Sequence, residues 1–213
     1  MRLRNSELIV LGITLLATAV GIWVYPKLPA QVASHWGTTG EVDGYMSAFW
    51  GAFIMPIVSL VTALLFIAIP RLDPKRQNIE QFRPYFDRFI ISFSFFLAYI
   101  YALTLLWNLG YEFSFVRWLV PAFSVLFYTL GVLISHAKQN WTIGIRTPWT
   151  LSNEHVWDAT HVRTGKLFRL ASVVVLLGIL LPNYAVWLLL VPILGVVLYS
   201  IIFSYLEFKK TVA

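Results

Sequence analysis

The 213-residue chain contains no cysteine. Disulfides, thiolate nucleophiles and thiolate-held metals are thereby excluded, and cysteine usage says nothing about redox compartment. Charge is also scarce. Asp, Glu, Lys and Arg make up 12% of residues, where a soluble domain of ordinary composition carries about 25%. The scarcity is uneven: neither 45–70 nor 170–206 contains any of these residues or His. Ion-coupled transporters and pumps usually carry an ionisable group inside the membrane, so a proton-coupled mechanism is disfavoured. No Ser lies in a Gly-x-Ser-x-Gly turn, so a nucleophile-elbow hydrolase finds no support. The first apolar run ends in the bulky Ile22-Trp23-Val24-Tyr25 and lacks a small-residue cleavage site, so it reads as a retained helix and not a signal peptide. There is no internal repeat and no low-complexity tract.

Long apolar runs, in contrast, are abundant, and 59% of residues are hydrophobic. A membrane-spanning helix needs about 20 mostly apolar residues. Residues 8–25, 45–70, 89–111 and 118–135 each qualify, with Pro56 a kink candidate in the second. The uncharged run 170–206 would form a helix about 55 Å long at 1.5 Å per residue, far beyond a hydrocarbon core of about 30 Å. It is therefore expected to be two helices turning at Pro182-Asn183, the fifth starting near Lys166 and the sixth spanning about 184–206. The expected fold class is an all-α polytopic membrane protein with six transmembrane helices. Two units are expected: residues 1–70, a two-helix unit with an outward loop, and residues 71–213, a four-helix unit.

The net charge of +6 invites a nucleic-acid reading, but the cations sit in the short gaps between apolar runs, where anionic headgroups attract them. No direct nucleic-acid binding is expected, and the lipid bilayer is the expected partner. Fourteen of the sixteen Lys and Arg residues fall on one side of the six-helix arrangement; only Lys27 and Arg117 fall on the other. The positive-inside rule then puts both termini in the cytoplasm and the 26–45 loop outside, in a plasma membrane. That loop, rich in Pro and Gly, reads as a built turn structure. Its ionisable residues His35, Glu41 and Asp43, beside Trp36, form either a recognition or metal surface or a polar cover for the outer helix ends.

On the cytoplasmic side the stretch 141–166, WTIGIRTPWTLSNEHVWDATHVRTGK, concentrates the chemistry. Gly144 permits a left-handed or close backbone approach. Pro148 keeps Thr147 out of the α region. Ser152 is a good N-cap, with Asn153 and Glu154 in the first turn that follows, and Gly165 is expected to be a weak point in that helix. Glu154, Asp158 and His161 fall at i, i+4 and i+7 on one face, a set that could hold a divalent metal or pair with Arg146, Arg163 or Lys166. No other cofactor is expected. Arg146 could clamp an anion with its planar fork, or bind lipid phosphate while Trp149 and Trp157 anchor at the headgroup level. If the loop folds back, Arg146, Trp149, Glu154, Asp158 and His161 would share one cytoplasmic site, with Arg146 against a carboxylate.

These residues carry a resemblance. Gly144-Ile145-Arg146-Thr147-Pro148-Trp149-Thr150-Leu151-Ser152-Asn153-Glu154, then Val156-Trp157, Thr160-His161 and Gly165, resemble the signature of the SdpI family of bacterial membrane proteins. Pro26, Leu28-Pro29, His35-Trp36, Gly40-Glu41 and Asp43-Gly44-Tyr45 resemble the domain of unknown function that precedes that signature in many members. The resemblance implies a toxin-immunity and signalling protein, with a secreted peptide toxin met on the outer face and a cytoplasmic repressor recruited on the inner one. Three functions stand at this point: a non-enzymatic receptor or immunity protein, a metal-dependent membrane enzyme using the Glu154/Asp158/His161 face, and a transporter.

Overall fold

The computed structural model describes residues 3–38 and 40–212. Six long helices form the body: α1 (Asn5–Val24), α2 (Ala48–Leu72), α4 (Arg83–Asn108), α5 (Phe115–His136), α7 (Glu154–Leu176) and α8 (Ala185–Val212). Two short ones, α3 (Arg76–Gln81) and α6 (Pro148–Ser152), lie in the connections. Among the described residues five helical segments are long and apolar enough to cross a membrane: 5–27, 48–72, 83–108, 115–136 and 182–211. The sixth long helix, α7, begins with the polar turns that carry Glu154, Asp158, Arg163 and Lys166 and becomes apolar only after Arg169. Leu, Ile, Val and Phe side chains cover the outside of the bundle, as a bilayer requires of an integral membrane protein.

The turn expected at Pro182-Asn183 is present, where two single-turn 3₁₀ segments, Leu177–Ile179 and Pro182–Tyr184, reverse the chain between α7 and α8. The fold is not purely helical. The loop after α1 folds into a β-hairpin, β1 (Gln31–Trp36) against β2 (Val42–Ser47), antiparallel with a register irregularity near His35. Gly40, at φ +88°, sits in its turn. Asn108 at the end of α4 explains why an isolated hairpin is stable here. Its Oδ1 accepts from Ala33 N–H at 2.7 Å and its Nδ2 donates to Ala33 C=O at 3.0 Å, so it completes the open edge of β1 as a third strand would.

The hairpin lies at one end of the bundle and both termini at the other. At the terminal end Glu7, fully buried, is the hub of an ion network. Arg71 from α2 grips it with both nitrogens, at 2.8 and 2.6 Å, and Arg83 from α4 donates at 2.8 Å. Arg4 N–H adds a fourth contact at 3.0 Å. Arg83 then reaches Asp87 at 2.9 Å, and Asp87 reaches Arg4 at 3.1 Å. A buried carboxylate is stable only when its lone pairs are filled in this way. The network ties α1, α2 and α4 into one body. The α5–α7 pair is held differently, by backbone contact at Gly131 and Gly165: a Cβ on Gly165 would lie 2.4 Å from Gly131 O and 2.1 Å from Ser135 Oγ. Gly165, expected as a weak point, is what lets the two helices touch.

Candidate functional site

The terminal end of the bundle carries the 141–166 stretch, which folds as a polar knot between α5 and α7. Asn140, fully buried, starts it. Its Oδ1 accepts from Thr142 N–H at 2.8 Å and Ile143 N–H at 2.6 Å, an Asx-type turn that bends the chain as it leaves α5. Gly144 follows at φ +128°. That conformation suits glycine, and there is no room for a side chain: a Cβ would fall 2.4 Å from His161 Nε2 and 3.1 Å from the Trp157 ring. Thr147 then caps α6, accepting from Thr150 N–H at 3.2 Å, while Thr150 Oγ1 returns a bond to Ile145 C=O at 2.7 Å. Thr147 Oγ1 also meets Ser204 of α8 at 3.1 Å.

The expected N-cap at Ser152 is displaced by one residue. Ser152 is the last residue of α6, and the next, Asn153, has extended backbone and accepts from Val156 N–H at 3.2 Å. Two helices meet here with a single non-helical residue between them, and Asn153 caps the second.

His161 and Trp157 sit under Gly144. Their rings stack at 3.9 Å, and Trp157 Nε1 donates to Ala137 C=O at 2.7 Å. His161 Nδ1 lies 2.8 Å from Trp157 C=O, and Nε2 accepts from Ile145 N–H at 2.9 Å. The carbonyl requires a proton on Nδ1 and the amide requires none on Nε2, so this arrangement fits one neutral tautomer. Burial pushes the imidazole pKa down to about 4, against the smaller upward pulls of the Trp157 carbonyl and Asp158.

The structure does not bring Glu154, Asp158 and His161 together. Helical spacing points them to one side of α7, but they differ in depth: Glu154 is exposed, Asp158 is half-buried beside Lys138 at 3.3 Å, and His161 is 1% exposed with both nitrogens engaged. Among the described residues no three His, Asp or Glu side chains converge as a metal site. Nor does Arg146 meet a carboxylate among the described residues; it is exposed and donates to Trp141 C=O at 2.6 Å. Trp149 packs on Tyr205 of α8, with ring centroids 5.0 Å apart. The signature thus divides into a buried half (Thr147, Trp157, Thr160, His161) that builds the knot and an exposed half (Arg146, Pro148, Glu154) that faces solvent.

A partner of the knot that the sequence did not suggest is Asp73, in the connection after α2. It is 3% exposed, and its Oδ2 accepts from Trp141 N–H at 3.0 Å and Thr142 Oγ1 at 2.7 Å. Gln139 donates to Thr150 C=O at 2.9 Å and accepts from Lys75. These are non-local contacts between single polar residues, with no spacing pattern to signal them.

At the hairpin end the four outward residues are partly assembled. His35 Nδ1 and Asp43 Oδ1 pair across the strands, both exposed. Trp36 lies flat on Phe115 at 3.7 Å, and its indole Nε1 is buried with no hydrogen-bond partner among the described residues. Glu41 is exposed near the turn, its carbonyl accepting from Gly37 N–H at 2.8 Å. Beside Trp36 a groove of about 630 Å³ runs between the hairpin, α5 and the start of α8, with Leu119, Val120, Phe123 and Leu189 as its apolar walls.

Comparison with known proteins matches both ends of this description. A family profile described as "Domain of unknown function (DUF1648)" matches residues 12–60, which include the hairpin. The profile of the SdpI/YfhL protein family matches residues 136–205, which include the knot. The chain is 25% identical over 207 residues to the immunity protein SdpI of Bacillus subtilis (strain 168), covering 97% of each chain. No solved structure matches.

Proposed function

We propose that this chain, which belongs to the SdpI/YfhL protein family, protects the plasma membrane of its host against a secreted peptide toxin. A similarity that runs the length of both chains to a protein named for immunity supports this reading. The observation that carries it is the outer groove. Its apolar walls, with the Trp36 ring beside them, suit an apolar peptide segment. His35 and Asp43 stand at its rim.

Six spans with both termini in the cytoplasm belong to the same reading, with the 23-residue α7 crossing as the sixth and its polar turns packed at the terminal end. The charge asymmetry supports this orientation: the cation-rich ends of the helices gather at the terminal end, opposite the hairpin. On the inner face the exposed half of the signature, Arg146 and Glu154 with Trp149 behind them, is the surface that would recruit a cytoplasmic repressor.

The test is survival. A bacterial host lacking its own immunity gene, expressing this chain and challenged with the killing peptide of an SdpI-type system, should survive at least about ten-fold better than a vector control. Equal survival at confirmed membrane expression would overturn the immunity reading. Arg146→Ala should keep protection while losing membrane recruitment of a fluorescently tagged repressor, because the side chain touches only a backbone carbonyl.

A further inference from the structure

Where α7 and α8 emerge at the terminal end they leave a groove of about 810 Å³. Its floor is apolar, made by Val162, Leu167 and Leu170 of α7 and Phe203 of α8, and Arg163, Lys166 and Lys210 stand along it. Two carboxylates also line it, and both have cationic partners. Asp158 lies 3.3 Å from Lys138, and Glu207 lies 2.8 Å from Lys210 and 3.6 Å from His155. Arg163 and Lys166 have no carboxylate within 4.0 Å among the described residues. Arg163 is nevertheless held in place, its guanidinium 5.0 Å over the Phe203 ring and 5.8 Å from Tyr199.

We propose that this groove binds one anionic phospholipid, its phosphate between Arg163 and Lys166 and an acyl chain along Leu167, Leu170 and Phe203. Two features select a lipid over a soluble partner. The apolar wall continues from the polar turns of α7 into its apolar part at Leu170 and onto Phe203 of the apolar helix α8, so on the proposed membrane placement that end of the groove faces hydrocarbon. The cations also stand above hydrocarbon-facing side chains, the order in which a lipid presents phosphate and tail. A Lys or Arg at an anionic surface contributes about a five-fold preference, so two free cations give a preference of about twenty-five-fold. The site rests on the membrane placement proposed above but not on the immunity role.

Native mass spectrometry of the full chain, released from micelles doped with phosphatidylglycerol or phosphatidylcholine, tests it. One phosphatidylglycerol should be retained at least about ten-fold more than phosphatidylcholine. Arg163→Gln with Lys166→Gln should abolish that preference, while Arg76→Gln with Arg88→Gln, which removes the same charge from exposed positions elsewhere, should leave it intact. Equal retention of the two lipids would overturn the proposal. So would an unchanged preference in the groove variant, the result expected if a cytoplasmic protein is the occupant. Inorganic phosphate at millimolar concentration should not displace the lipid; full displacement would make the site a free-phosphate site. None of these readings involves a toxin, so failure here leaves the immunity reading standing, and failed protection leaves this one standing.

Discussion

His161 illustrates how a residue type can mislead when its depth is unknown. Spacing on α7 puts it on the same side of the helix as Glu154 and Asp158, but spacing reports direction and not burial. The close approach of Gly144, which decides the imidazole's role, comes from another part of the chain. Gly144 itself was legible, because glycine is the residue that permits a left-handed or close backbone approach. Gly144→Ala should destabilise the fold by more than about 2 kcal/mol, read as a fall in Tm in detergent, since it combines a positive φ with a collision against His161. His161 also sets a pH dependence. Its folded pKa of about 4 lies below an unfolded value of about 6.5, so between these pH values the unfolded chain takes up a proton that the folded chain refuses. Its contribution is complete above pH 6.5 and is lost as pH falls toward 4, a change on the order of 3 kcal/mol. His161→Ala should lower Tm at pH 7.5 and flatten its slope between pH 4 and 6.5; an unchanged slope would show that the imidazole does not titrate as described.

At the scale of elements, hydropathy made the spans and the α7–α8 reversal readable, because a bilayer fixes how long an apolar run must be. The hairpin was not readable. Its Pro and Gly residues signal turns equally well with or without strands between them, and the pairing that stabilises it comes from Asn108, more than seventy residues away. Asn108→Leu should speed hydrogen exchange at Ala33 and its neighbours in the hairpin while leaving the helices protected. The α5–α7 crossing is sharper still. Gly165→Ala forces Gly131 and Gly165 apart by roughly a methyl radius and should cost 1–3 kcal/mol, the range of about that size found for overpacked contacts. Its partner variant Gly131→Ala should behave alike, whereas Gly12→Ala, whose Cβ would meet nothing within 4 Å, should be neutral.

For the whole molecule, the two ends do different work. The terminal end is built from the Glu7 network and the signature knot, in which most buried polar groups find partners among the described residues and Ser6 Oγ and Thr160 Oγ1 do not. Glu7→Gln removes the charge that Arg71 and Arg83 share and should cost about 1–3 kcal/mol, because Arg83 keeps Asp87 and Arg71 is partly exposed. The hairpin end keeps an open apolar groove of about 630 Å³, as expected where an apolar ligand is received. The absence of native cysteine makes the orientation directly measurable. A single cysteine at Glu41 should react with an impermeant maleimide in intact cells, and one at Gln77 only after lysis. The most direct test of an outer receptor groove is survival of peptide challenge with the groove filled. Leu119→Trp, at a half-buried wall position, should reach the membrane at the wild-type level yet lose protection by about ten-fold or more, with Arg88→Gln protecting fully. Full protection by the filled groove would contradict the assignment of peptide recognition to the hairpin end.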